Sequence, residues 1–148
     1  MLIRKIERED YEGALNLVWN TFMQYEAPDY SAEGIDTFRS SVIDNEDYLN
    51  RIHLYGAFEE SELLGVIATR NGGNHIALFF VDGLHHRQGI GRKLFNVVLE
   101  NSTSNEITVN SSPYAVAVYR RLGFVDTEAE KTTDGMRYVP MIYRKGAG

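Results

Sequence analysis

The chain contains no cysteine. Disulfides, a cysteine acyl-enzyme and zinc–thiolate sites are therefore excluded from its chemistry. Long hydrophobic runs are also missing: none approaches the ~20 residues that span a bilayer. The first ten residues, Met1 to Asp10, alternate charged with apolar types where a signal peptide would carry an apolar core. The expected location is the cytoplasm, with no membrane partner. Cations are in the minority, 15 Lys and Arg against 21 Asp and Glu, for a net charge of −6. That balance opposes general attraction to nucleic acid phosphates, so nucleic acid is not an expected partner, whereas a cationic substrate is compatible with it. The basic residues are uneven, however. Arg87, Arg92 and Lys93 lie close together and Arg120 and Arg121 follow, which leaves room for local anion binding.

What is present suffices for one domain spanning residues 1–148: apolar types make up 43% of the chain, enough to bury a core without staples. No repeat, low-complexity tract or linker divides it. Leu2 to Ile6 alternates as a first strand, and Asp10 is placed to cap a helix whose stripe is Tyr11, Ala14, Leu15, Val18, Trp19 and Phe22. Gln24 to Tyr30, with Pro28, is expected to break that helix. Ser31 then caps a second one with the face Ile35, Phe38 and Val42. From Leu54 the period becomes two: Leu54 to Phe58 and Leu63 to Thr69 predict a hairpin turning at Glu59 to Glu62. Gly72-Gly73 turns the chain again into Ile76 to Val81, a continuous apolar strand of the kind covered on both faces.

Beyond this strand Ile90, Leu94, Phe95, Val98 and Leu99 predict a helix, and Ile107 to Val109 a strand. A right-handed crossover makes that strand parallel to Ile76 to Val81. Ala115, Val118, Tyr119 and Leu122 mark a short helix ended by Gly123. Val125 to Glu130 and Tyr138 to Tyr143 predict a closing hairpin, with Pro140 at an edge or bulge. The fold class is α/β: a mixed, mostly antiparallel central sheet with one parallel strand pair.

Between the apolar strand and its helix lies His85-His86-Arg87-Gln88-Gly89-Ile90-Gly91-Arg92-Lys93. The first N–H groups of a helix lack intrahelical acceptors and sit at the positive end of its dipole, so this turn suits a phosphate. Glycines at 89 and 91 let such a ligand approach the backbone. A dinucleotide fingerprint would need glycine at Leu94, and a triphosphate loop would need Gly-Lys-Ser/Thr, which is absent. A tight turn with no ligand is the competing explanation of the two glycines.

The run His86 to Gly91 resembles the pyrophosphate loop of the GNAT N-acetyltransferase superfamily, Arg/Gln-x-x-Gly-x-Gly/Ala, with His86 in place of the usual Arg or Gln. A second stretch, Ser112 to Phe124, is similar to that superfamily's Asn-x-x-Ala-x-x-x-Tyr-x-x-x-Gly-Phe. Ser112 stands at the Asn, Ala115 at the Ala, Tyr119 at the Tyr, and Gly123-Phe124 completes the match. The resemblance covers about Ile76 to Phe124. It implies a GNAT-like sheet with helices on both faces and acetyl-CoA as co-substrate, with no metal. Acetyl would pass directly to a primary amine, on a small molecule or a peptide, within a ternary complex. A homodimer is the assembly it implies.

Carried over residue by residue, the resemblance puts His86, Arg87, Gln88, Gly89, Ile90, Gly91 and Arg92 at the pyrophosphate. Phe80 and Val81 would meet the pantetheine through their backbone, and Ser112 and Asn110 would bond its amides. Tyr119 would protonate or hydrogen-bond the departing sulfur, a role that suits a phenol of pKa about 10; a plain core tyrosine is the alternative. Candidates for the base that deprotonates the amine are Asp82, Glu26 and His75, each equally explicable as a surface residue. Trp19, Tyr25, Tyr30 and Phe38 are expected near the acceptor, Glu26 and Asp29 could attract a cation, and Arg137 could pair with a carboxylate. A non-catalytic CoA-binding sensor is the competing function.

Overall fold

The computed structural model describes residues 1–83 and 89–146. Strand β1 (Leu2–Lys5) leads through a 3₁₀ turn at Arg8–Asp10 into helix α1 (Tyr11–Thr21). Asp10 occupies the cap position, but its side chain accepts no hydrogen bond there. The preceding turn holds its backbone near φ −102°, ψ 8°, away from the extended geometry that aims a cap at the helix. The break expected over Gln24 to Tyr30 falls at the end of that range, where Tyr30 turns extended at φ −114°, ψ 152°. The helical path widens into a π turn at Phe22–Glu26 and then tightens into a 3₁₀ turn at Ala27–Asp29. Pro28 falls in the first turn of that short helix, where its missing N–H is not needed.

Helix α2 (Ala32–Phe38) is capped as expected: the Ser31 hydroxyl accepts from the Gly34 N–H at 3.2 Å. A second π turn, Arg39–Ile43, extends it, and helix α3 (Glu46–Arg51) follows, capped by Asn45 accepting from the Tyr48 N–H at 3.1 Å. Helix α3 was not expected, because six residues are too few for the helical period to show.

Strands β2 (His53–Glu59), β3 (Glu62–Arg70) and β4 (His75–Val81) form an antiparallel meander. Helix α4 (Ile90–Asn101), strand β5 (Glu106–Ser111) and helix α5 (Val116–Leu122) come next, and Gly123 ends α5 in the left-handed conformation at φ 110°. Strands β6 (Val125–Asp126), β7 (Lys131–Thr133) and β8 (Met136–Arg144) complete the sheet. Its order is β1-β2-β3-β4-β5-β8-β6, with β7 on β8, and β4–β5 is the parallel pair. The closing hairpin is thus composite: β7 pairs the start of β8, whereas β6 pairs its far part. Pro140 fits inside because its carbonyl accepts from the Thr127 N–H at 2.9 Å. A strand residue's N and O face the same side, so the absent donor faces away from the β5 ladder, toward a neighbour that has ended at Asp126.

Two cores sandwich the sheet. On one face Val18, Phe22, Phe38 and Leu49 pack against Leu54, Val66, Leu78 and Phe80. On the other, Ile90, Leu94, Phe95, Tyr119 and Phe124 pack against Ile67, Ile76, Ile107 and Met141. Strand β4 belongs to both, as its unbroken apolar run implied. The β3–β4 register slips between Ala68 and Thr69, which pair with Leu78 and Ile76, leaving Ala77 as a bulge. Bulges bend a strand. This one lies where the parallel ladder stops: β5 pairs only His75 and Ile76, and the two strands then diverge.

Candidate active site

The divergence of β4 and β5 opens a cleft of about 390 Å³. Phe79, Phe80 and Val81 form its strand wall, Gly89 to Arg92 one rim, Tyr114 to Leu122 of the α5 region another, and Thr21, Tyr25 and Glu26 close it from α1 and its π turn. Gly89 caps α4 at φ 79°, a conformation that disfavours any side chain, and its carbonyl accepts the first helical bond from Lys93 at 3.1 Å. The α4 N–H groups after it are left for an outside acceptor. Gly91 differs. Its backbone is helical, and a Cβ there would meet the Phe79 ring at 3.4 Å, an ordinary contact. Folding therefore does not demand glycine at 91, and the small residue widens the cleft beside the helix terminus. At Gly89 a Cβ would meet nothing within 4 Å.

Tyr119 lines this cleft and is 5% exposed, held edge-on by Phe79 (5.8 Å) and Phe124 (5.2 Å). Burial first, and then the charge of Glu26, raise its phenol above the ordinary range. Glu26 ends the π turn, and its carboxyl is pushed up to about 7. Burial is the main cause and the Asp29 charge adds to it, while a hydrogen bond from the Ser112 hydroxyl works in the opposite direction. The signal that could have singled out Glu26 is its spacing: it follows Trp19 and Phe22 at the positions that continue the buried stripe of α1, where a carboxylate is out of place.

Phe80 turns its side chain into the helical core, edge-on to Phe38 at 6.2 Å, and Val81 lines the cleft. Ile90 lines it while 1% exposed. Arg92 lies on the rim, where a guanidinium N–H donates to the Arg121 carbonyl at 3.3 Å. Ser112 is buried. Its hydroxyl accepts from the Ala115 N–H at 3.3 Å and donates to Glu26, joining the start of α5 to the base candidate. Asn110 is exposed on β5 opposite Pro140, away from the residues that line the cleft. His86, Arg87 and Gln88 lie outside the described residues.

Of the other base candidates, Asp82 follows β4 but does not line the cleft; its N–H donates to the Leu64 carbonyl at 2.8 Å. His75 opens β4, about 20 Å along the strand from Val81. It contacts the Thr108 hydroxyl at 2.8 Å, and burial, then the charge of Arg70, lower it to about 4. Arg137 is engaged by both Glu130 oxygens, at 2.9 and 3.2 Å, and by the Asp29 carbonyl. It pins the turn beside Glu26 and is not held out for a substrate. Trp19, Phe38 and Tyr30 pack around Phe22. Tyr25 stacks on Tyr114 at 5.3 Å, and a Cβ on Gly83 would collide with the Tyr25 hydroxyl, so this tyrosine seats against the chain leaving β4. Tyr114, Thr21, Val118 and Arg121 also line the cleft without having been expected there. Among the described residues no acid or histidine cluster is arranged for a metal, and no helix is long and apolar enough to cross a membrane.

A mixed sheet that opens beside a bulge, with a helix N-terminus at the gap, defines an α/β domain of one recognisable class. The chain belongs to the GNAT acetyltransferase family: the model of the acetyltransferase (GNAT) domain matches residues 26–145. A GCN5-related N-acetyltransferase from Rhodopseudomonas palustris superposes with a TM-score of 0.80 at 16% identity, covering 97% of this chain and 94% of its own. The PaiA N-acetyltransferase of Thermoplasma acidophilum, solved with coenzyme A, gives 0.74 at 21% identity over 97% and 98%. YjaB of Escherichia coli in its apo form gives 0.74 at 22% over 98% of each chain. Curated protein sequences contain no match.

Proposed function

We propose that this protein transfers acetyl from acetyl-CoA directly to a primary amine. The observation that carries this reading is the meeting, in one cleft, of the α4 N-terminus, the diverging β4 strand, the Tyr119 phenol and the Glu26 carboxyl. The residues suit the cofactor. The α4 amides and Arg92 would hold its pyrophosphate, the gap beside Phe79 and Gly91 would admit its pantetheine, and a negatively charged ligand would find Arg92 and Arg121 on the rim. Acetyl-CoA, when bound, supplies an activated thioester and a thiol leaving group.

An alkylammonium acceptor entering from the α1 side meets Glu26, whose carboxylate takes one proton and leaves a neutral nucleophile. The amine nitrogen then bonds to the carbonyl carbon and the carbon–sulfur bond breaks. Tyr119 donates a hydrogen bond where charge gathers on sulfur. A phenol raised above its ordinary range is a poor source of a full proton but a dependable donor, so its contribution is electrostatic. The thiol leaves with a proton from the amine.

Two calorimetric titrations and one assay test this. Acetyl-CoA should bind the wild type and fail to bind Gly91→Glu, and a panel of amines should release free thiol. Absence of binding would end the cofactor assignment, and tight binding with no thiol release from any amine would establish a sensor instead.

A further inference from the structure

The end of the sheet farthest from the cleft carries a second depression, of about 340 Å³, lined by Tyr48, Arg51, Ile52, Arg70 and Asn71. Its charged lining residues are both arginines. Among the described residues neither forms an ion pair. The acids nearest in sequence are committed elsewhere: Glu46 to Arg8 at 2.6 Å and Asp44 to Arg39 at 3.3 Å. Asp47 offers Arg51 only its backbone carbonyl, at 3.1 Å.

Arg70 stands out further, because its Nε is buried and has no acceptor among the described residues. A buried donor left unmet is costly, more so when it belongs to a charged group. The charge also reaches its surroundings, acting on both Tyr48 and His75. Burial keeps the Tyr48 phenol protonated, pushing it up to about 12, and that hydroxyl lies 3.5 Å from the Ala77 carbonyl. His75 is likewise neutral near pH 7 and brings no carboxylate-like compensation. Two cations, a protonated phenol and an amide side chain thus line one depression, with no negative group among the described residues that line it.

We infer that this depression is a binding site for a small oxyanion, a phosphate or a carboxylate, seated between Arg51 and Arg70. The planar guanidinium fork is matched to both oxyanions and gains strength from charge-assisted hydrogen bonds. The site is separate from the cleft: Arg70 pairs with His75 at the opposite end of β4 from Val81. It does not depend on the acetyltransferase reading.

The test is titration of the full chain without coenzyme A, whose own phosphates would compete for the site; the Arg92 and Arg121 Nε–H signals report separately any anion taken up by the cleft. Inorganic phosphate and succinate are added in separate arms at constant ionic strength, with chloride as the reference. Binding is followed by the NMR signals of the arginine Nε–H groups and the Asn71 amide. The expected result is a saturable shift of the Arg70 Nε–H in at least one arm, and the tighter arm tells phosphate from carboxylate. Affinity should fall about tenfold or more in Arg51→Gln, an exposed position whose change leaves the core intact, and in Arg70→Lys, which keeps charge but loses the fork. Shifts no larger than those in chloride, or equal affinity in the wild type and both variants, would overturn the site.

Discussion

A glutamate in water ionises near pH 4.3, whereas Glu26, closed in by the π turn and beside Asp29, does so at about 7. If it is the base, kcat/KM should fall about tenfold per pH unit below 7 and level off above it, the limb belonging to the free enzyme. Glu26→Gln should lower kcat/KM by about 10²-fold or more and remove that limb; an unchanged profile would take Glu26 out of the reaction. Tyr119 is the opposite case, since its raised phenol stays protonated throughout the working range. Tyr119→Phe should cut kcat about 10- to 100-fold, the worth of one hydrogen bond to a charged atom, while KM for acetyl-CoA moves little. Full turnover in that variant would return Tyr119 to the core. The tyrosine was legible because its position is marked by Ala115 and Gly123-Phe124. Glu26 was named only as one acid among several, since a shifted pKa arises from neighbours such as Ser112 that are remote in the chain.

At the level of elements, α4 offers the cleanest separation of folding from binding. Gly89 is required by its positive φ, but Gly91 is not required by anything in the fold. Alanine is favoured over glycine inside a helix by about 1 kcal/mol. Gly91→Ala should therefore keep or raise the melting temperature and retain acetyl-CoA binding, since the motif accepts alanine there, whereas Gly91→Leu should bind about tenfold or more weakly because its side chain occupies the approach to the helix terminus. Retained affinity in Gly91→Leu would move the pyrophosphate elsewhere. Most elements were readable from local pattern: the hairpin of β2 and β3, the apolar β4, the stripe of α4, and the glycine that ends α5. The π turns were not. A widened turn depends on what the helix must pack against, here Phe22 stacking on Phe38 at 4.0 Å. Helix α3 and the divided hairpin at β8 escaped for a similar reason, being short pieces stabilised by partners distant in sequence.

Across the whole molecule, two shifted groups act on stability in opposite senses. His75, lowered to about 4, binds a proton more readily when unfolded, so its contribution is present above the unfolded value and is lost as pH falls from about 6.5 toward 4. Glu26, raised to about 7, binds its proton more readily when folded. Its contribution is present below about pH 4.3 and is lost as pH rises toward 7. Between about pH 4.5 and 6.5 the slopes nearly cancel, each amounting to at most about 1.4 kcal/mol per unit. Glu26→Gln should unmask the histidine. In chemical denaturation its stability should drop more steeply than the wild type's on acidification through that window, and it should exceed the wild type's above pH 7. Parallel curves would show that Glu26 titrates normally.

The order strand, glycine turn, helix, strand, helix came from sequence alone, because hydrophobic period and turn glycines are local properties written along the chain, and the family came from the resemblance of the stretches around Gly89 and Tyr119 to known motifs. What only the tertiary structure decided is which polar side chains share the cleft. It brought Glu26 against Ser112 and Tyr119, sent His75 to the far end of β4, and tied Arg137 to Glu130. Burial and proximity between remote segments determine acidity and pairing, and neither is a property of any single stretch of residues.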